Sequence, residues 1–489
     1  MAEDTAPLKA EQAHARDEQT GGSAGEPSIV VARADDSSTQ DEQAEAGLNL
    51  LTERGFEQTM ASTNCNTKRD IIHSDPAEKI EPEPCHGGLL AATDDRFRKW
   101  FGATYDVDIL HAVLAAAAAE QLGGDPVWLH VISGSGDTKT ATISALAGVG
   151  AIVTSTIASE GALLSATRAQ KNAGKATGGL LRRLDNLDRK LLVLKDVTSL
   201  ISADRNVRAT VLAALREIYD GFWERNVGVN GGHSLSWKGR ITVIGACTTA
   251  WDTHHAVIAQ MGDRFVLVRG NSSVDRQAKG LQAMRNTGHE AEMNEELMEA
   301  VRWVLIAAKA APEPQINEAE GRRLVDAAEL VTRLRTPCDF DYRGNVENVH
   351  ALEAPTRFAK QLTQVFRGAV AIGLKRSQAL ALALRCARDS SPPQRLAILQ
   401  DVARHRGSLR ADMQRRLGLP FFAVSKNVQA LQALRLLVDS GKEGFVAADD
   451  VDLSLLETRH FVSKGATTSS TQQNVSSPKN LSFIPLIPP

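Results

Sequence analysis

Cysteine is rare in this 489-residue sequence, and the five present (Cys65, Cys85, Cys247, Cys338, Cys386) are odd in number and far apart. That excludes a disulfide framework and any paired zinc motif, and makes a reducing, cytoplasmic compartment the expectation. Cys85-His86 is the nearest approach to a ligand pair and, lacking a partner, reads as incidental. Long apolar runs are also missing. The stretch Val113–Ala119 is bounded by His111 and Glu120, well short of the ~18 apolar residues that a membrane span needs. The amino terminus is acidic and polar, unlike a secretory signal. Aromatic residues make up only 4%. What the chain does have is 43% hydrophobic and 24% charged residues, enough for a sizeable core spread over about two to four domains.

The net charge of -3 conceals an asymmetry. Residues 1–85 hold 18 acidic and seven basic side chains, which leaves the remainder net basic by eight. This stretch has no sustained apolar period and cannot bury enough surface to offset its ordering entropy, so a disordered acidic tail is expected over 1–88. A second flexible tail is expected over 451–489, closing on the apolar, proline-rich tip Leu481–Pro489. That tip reads either as a docking peptide for a replication protein or as a chain end with no role.

Between the tails, Val127–Ile132, Leu191–Leu194 and Ile241–Ala246 read as buried strands, alternating with helical stretches such as the Ala-rich Asp108–Leu122. The expectation is an α/β protein with a parallel sheet and covering helices, its core over 89–272. Past residue 272 the strand signals stop. Long helical patterns follow at Glu295–Ala310, Glu318–Arg335, Ala354–Ile372 and Ser377–Ala387, so 273–388 is expected to be an all-α lid.

The first strand runs into Ser133-Gly134-Ser135-Gly136-Asp137-Thr138-Lys139-Thr140 and then a helix over Ala141–Leu146. Strand, small-residue loop, Lys-Thr and helix are the parts of a phosphate-binding P-loop. Its backbone N–H groups cradle phosphate, Lys139 reaches the β and γ oxygens, and the Thr140 hydroxyl holds Mg²⁺. The fit to G-x-x-x-x-G-K-[ST] is incomplete, because Ser133 and Thr138 stand where the two glycines belong. The alternative is a glycine-rich turn that binds nothing. ATP and Mg²⁺ are the expected ligands of residues 133–140.

Leu191–Leu194 and the following Lys195-Asp196 stand where P-loop proteins place their Mg²⁺-organising strand. A helix over Arg205–Tyr219, then Asp220-Gly221, then a hairpin of Phe222–Val227 and Ser234–Trp237 follow. In this order of parts the sequence resembles AAA+ ATPases with a hairpin before the sensor strand: the minichromosome maintenance helicases and the bacterial enhancer-binding activators. The resemblance spans residues 95–385 and is more specific in order than in letters. It sets Lys195 on the metal-ordering Asp and Asp196 on the water-activating Glu, with Asp196 and Thr140 as metal ligands. A Lys cannot coordinate Mg²⁺, so ATP binding is better supported than fast hydrolysis. Asp196 by itself also reads as a carboxylate capping the next turn.

The resemblance implies further roles. Asn230, His233 and Lys238 of the hairpin, and Lys175 of the basic loop Arg168–Arg183, would line a ring pore and touch DNA; each also reads as an ordinary solvated loop residue. Thr248, with Thr249 beside it, would sense the γ-phosphate. Arg264, in Met261-Gly-Asp-Arg-Phe265, would be an arginine finger reaching a neighbour's ATP, or else a buried structural arginine. Arg357, in Ala354–Leu362, would be the second sensing arginine.

After Ser391-Pro-Pro393, the helical patterns Gln394–His405, Leu409–Leu417 and Phe421–Leu437, with a wing at Gly444-Phe-Val446, read as a winged helix over 389–450. Ser425, Lys426, Asn427 and Gln429 would face a major groove, and Arg410, Arg415 and Arg416 would contact phosphates; a winged helix used for protein contacts is the alternative. The expected function is that of an ATP-binding AAA+ protein acting on DNA, a helicase or initiator of mobile-element replication. It would work as a homo-oligomeric, hexameric ring. The alternative is a DNA-binding adaptor or regulator that holds ATP without efficient hydrolysis, which Lys195 and Thr138 favour.

Overall fold

Strands that are apolar on both faces require a helical layer on each side, and the computed structural model has that arrangement. It describes residues 86–165, 178–228, 232–253 and 264–456. The chain divides into two units, 1–81 and 82–489, and every described residue belongs to the second.

Helices α1 (His86–Phe101) and α2 (Val107–Ala119) precede β1 (Trp128–Ile132). The candidate phosphate loop leads into α3 (Lys139–Ser144), a 3-10 turn over Ala145–Val149, and β2 (Ile152–Thr154). Then come α4 (Leu180–Asp185), β3 (Leu191–Leu194), α5 (Val197–Ile201) and α6 (Arg205–Tyr219). The antiparallel hairpin β4 (Phe222–Val227) and β5 (His233–Lys238) leads to β6 (Thr242–Cys247) and β7 (Phe265–Arg269). The sheet order is β2-β3-β6-β1-β7, all parallel, giving the expected α/β core. Two of its strands escape the sequence reading. β2 is three residues long, too short for a pattern, and β7 begins inside the Arg264-Phe265 motif.

Side chains alternate between two cores, as the period of two demands. Leu129, Val131, Val193, Ile244 and Val266 pack under α2 and the later helices. Trp128, Ile132, Leu194, Val243 and Leu267 pack against α4, α5, α6 and the hairpin tryptophans Trp223 and Trp237.

After β7 come α7 (Arg276–Arg285), α8 (Glu290–Ala310), α9 (Glu318–Arg335), a short hairpin of β8 (Cys338–Phe340) and β9 (Val346–Val349), α10 (Thr356–Ala371) and α11 (Arg376–Asp389). The region beyond 272 is therefore not all-α. The Asp341 carboxylate accepts the N–H groups of Arg343 and Asn345, and Gly344 takes φ +86°, which together build the hairpin turn. α11 also closes the edge of the sheet. The outward N–H groups of β7 at Leu267 and Arg269 donate to Ser390 Oγ (2.9 Å) and Asp389 Oδ2 (2.8 Å), covering an edge that would otherwise invite another strand.

The carboxyl-terminal part holds α12 (Pro393–Arg404), α13 (Arg410–Leu417), α14 (Phe421–Ala433) and the hairpin β10 (Leu437–Asp439) with β11 (Phe445–Ala447). α14 stops short of the expected Leu437 because Arg435 adopts φ +57°, and the Leu436 N–H turns back to the Leu431 carbonyl. The chain stays packed beyond residue 451, with Leu455 and Leu456 buried. The rest of that expected tail, the acidic tail up to residue 85 and Lys175 lie outside the described residues.

Candidate functional site

All five strands run the same way, so their carboxyl ends share one edge, the place where open α/β sheets bind ligands. The loop Ser133–Thr138, the Lys195-Asp196 pair and Thr248 follow β1, β3 and β6, and β6 lies between the other two. Within the loop, Lys139 Nζ donates to the Gly134 carbonyl at 2.8 Å. Gly136 takes φ +78°, a conformation that side chains rarely adopt. Asp137 Oδ1 accepts the Thr138 N–H at 3.0 Å. Beneath the loop, the Thr142 hydroxyl donates to the Thr138 carbonyl and lies 2.9 Å from the buried Tyr105 hydroxyl, so α3 is anchored to the segment before α2.

Asp196 is exposed and caps α5, its Oδ1 accepting the Thr198 N–H at 2.9 Å. Lys195 beside it is also exposed. Thr198 ties the ends of β3 and β6 together: its hydroxyl accepts the Thr248 N–H at 3.0 Å and lies 3.3 Å from Thr248 Oγ1. The sequence reading missed this threonine, because only the pairing of β3 with β6 brings it to Thr248. Among the described residues no three His, Cys, Asp or Glu side chains converge on a possible metal position. Were Mg²⁺ to arrive with a nucleotide, the Thr140 hydroxyl and the Asp196 carboxylate are oxygen donors of the kind that it takes.

Arg264, the expected arginine finger, and Arg357, the expected second sensing arginine, are not at this edge. Arg264 immediately precedes β7, so about 20 Å of extended chain separates it from Gly270, which lies against the loop. Its side chain is 8% exposed, donates to Asp220 Oδ2 at 2.8 Å and lies over the Tyr219 ring. Burial lowers the Arg264 pKa against the pull of Asp220, and the nearby charge of Arg357 adds to the lowering. Arg357 itself is half-buried and donates to Glu353 at 3.3 Å.

No protein-family model matches the sequence. No curated protein matches it either. Among solved structures, a full-length MCM homolog from Methanopyrus kandleri is similar at 13% identity and a TM-score of 0.36. The similarity covers 65% of this chain and 64% of that one, less than two thirds of its length.

The candidate DNA contacts divide in two. Lys238 is exposed at the end of β5, and the side chain of His233 lies outside the described residues. Arg415 is exposed and bonded to Asp412, while Arg410 lies over the Phe445 ring at 4.8 Å. Arg416 is held by Asp401. On α14, Val424, Val428 and Leu431 form the buried face. The stripe Phe422, Lys426 and Gln429 faces the β8–β9 hairpin. Lys426 Nζ sits 4.1 Å over the Phe340 ring, the Gln429 side chain accepts the Val346 N–H at 3.3 Å, and Phe422 packs against Gly344. Asn427 bonds Gln394 and the Ala423 carbonyl, and Ser425 is half-buried. From Ala423 to Gln432 no residue of α14 is fully exposed. No helix among the described residues is long and apolar enough to cross a membrane.

Proposed function

We propose that this chain is an AAA+ P-loop protein that binds ATP with Mg²⁺ at residues 133–140, turns it over slowly or not at all, and acts on DNA. The observation that supports it is the shared carboxyl edge. It gathers the Lys139 loop, Asp196 and Thr248 around the end of β6, with Lys139 held across its own loop by a carbonyl that a phosphate oxygen can replace. Slow turnover follows from the chemistry of the residues that would drive it. Lys195 replaces a metal-ordering acid, Asp196 is occupied as a cap, and Arg264 is paired with Asp220 within its own subunit. In this reading 89–272 is the nucleotide core, 273–388 the lid and 389–450 a winged-helix module.

A DNA-dependent ATPase working as a ring is the second reading, favoured by the hairpin β4–β5 directly before β6. Calorimetry with ATP and Mg²⁺, and phosphate release with and without single-stranded DNA, separate the two. The first reading expects binding that is lost in Lys139→Ala, with no turnover that DNA stimulates. ATP at about 100 times its dissociation constant should raise the folding stability by about 2.7 kcal/mol in the parent and not in Lys139→Ala. DNA-stimulated release that vanishes in Lys139→Ala supports the ring. A parent that binds no nucleotide removes both.

A further inference from the structure

We propose that Lys279, on α7, is a second phosphate-contacting cation of the loop, held in reserve by Asp137. The inference rests on the nucleotide reading of residues 133–140 and adds to it a residue from outside the motif. The segment that follows β7 is pressed against the loop. The Gly270 N–H continues the β1–β7 ladder to the Ile132 carbonyl at 2.8 Å. A Cβ at residue 270 would lie 3.3 Å from Ser133 Cβ and 3.5 Å from Asp137 Oδ2. A Cβ at residue 134 would lie 2.5 Å from Ser272 Oγ. Glycine at both positions is what allows the two segments to approach so closely.

From that segment the chain turns into α7, which buries none of its own residues. Polar contacts with the end of α1 hold it instead: Gln282 donates to the Lys99 carbonyl at 3.2 Å, and the neighbouring Asn286 to that of Trp100 at 2.7 Å. The helix thereby sets Lys279 Nζ 3.5 Å from Asp137 Oδ1 and 3.3 Å from the Asn271 carbonyl. Asp137 is a nearly buried carboxylate inside a loop meant for anions, and it already takes up the Thr138 N–H. An arriving phosphate meets that negative charge beside it. Lys279 offsets the charge, and a modest swing of its flexible stem carries the ammonium from carboxylate to phosphate.

Titration calorimetry of the full chain with ATP·Mg²⁺ and with tripolyphosphate·Mg²⁺ tests this. Lys279→Ala should weaken both by about tenfold, by the same factor because the contact is to phosphate. Lys279→Arg should restore most of the affinity, and Asp137→Asn should strengthen binding and shrink the loss caused by Lys279→Ala. Lys279→Ala also takes a charge partner from nearly buried Asp137, so the thermal midpoint without ligand should fall slightly and Lys279→Arg should recover it. Unchanged affinity in Lys279→Ala beside lost binding in Lys139→Ala overturns this inference and leaves the loop reading standing. A loss for ATP but not for tripolyphosphate overturns it as well, and a parent that binds neither ligand overturns both.

Discussion

His130 lies in the middle of β1 with its ring stacked on Phe265 at 4.0 Å and edge-on to Trp251 at 4.9 Å. Burial lowers its pKa from 6.5 to about 3. The unfolded chain therefore takes up a proton below its ordinary pKa while the folded chain refuses it. The contribution of the neutral ring is complete above that value and drains away as the pH falls towards 3. Urea midpoints should reveal a loss of about 1.4 kcal/mol per pH unit between about pH 6 and 4, on top of other groups, and His130→Leu should remove that increment. Equal slopes in the two proteins would place the proton elsewhere. Asp389 is the second residue on which much depends. Its buried carboxylate accepts the Arg269 N–H, pairs with Arg388 at 2.8 Å and lies 3.6 Å from Arg385. Burial opposes the Arg385 charge, but the hydrogen bond to Asp106 and the charges of Asp389, Asp106 and Asp108 outweigh it and raise its pKa. Asp389→Ala leaves buried guanidinium groups without this partner and should cost about 3–5 kcal/mol in denaturant unfolding.

Among the elements, α14 departs furthest from a DNA-reading helix. Its buried stripe faces the other two helices of the module, and its next stripe faces β8–β9, a hairpin that carries Asp339, Asp341 and Glu347. A duplex would have to displace that acidic hairpin before meeting Lys426. Lys426→Ala should consequently change duplex affinity by less than about twofold in fluorescence anisotropy at fixed salt, where a direct phosphate contact would also lower the salt slope. A large loss accompanied by a reduced slope would mean that the hairpin lifts away on binding.

Across the whole molecule the two edges of the sheet have different characters. The carboxyl edge holds polar side chains that exposed loops can offer to a ligand. The amino edge holds Arg264 in a pocket of Asp220, Tyr219 and the amide of Gln361, which donates to the Arg264 carbonyl. Arg264→Ala should act there as a core substitution. We expect about 2–4 kcal/mol of lost stability in urea unfolding, with ATP affinity unchanged in calorimetry. A variant of full stability that binds ATP but fails to assemble in sedimentation would instead make Arg264 a contact between subunits.

Local sequence was enough where a long pattern is complete within one element, though not for β2, β7 or the β8–β9 hairpin. Contiguous apolar runs at β1, β3 and β6 announced a parallel α/β sheet, and the long amphipathic stretches announced α8 to α12, because each pattern is complete within one element. The loop at 133–140 was legible for the same reason, its glycines, lysine and threonine being neighbours in the chain. Tertiary structure alone decided the rest. Thr198 meets Thr248 through strand pairing, Lys279 meets Asp137 through the return from β7, a strand hidden by the Arg264-Phe265 motif, and α14 is covered by a hairpin whose turn rests on Asp341 and Gly344. In each case the partners are distant in sequence and joined by hydrogen bonds or charge, which leave no period in the chain, whereas burial repeats every two or 3.6 residues and therefore does.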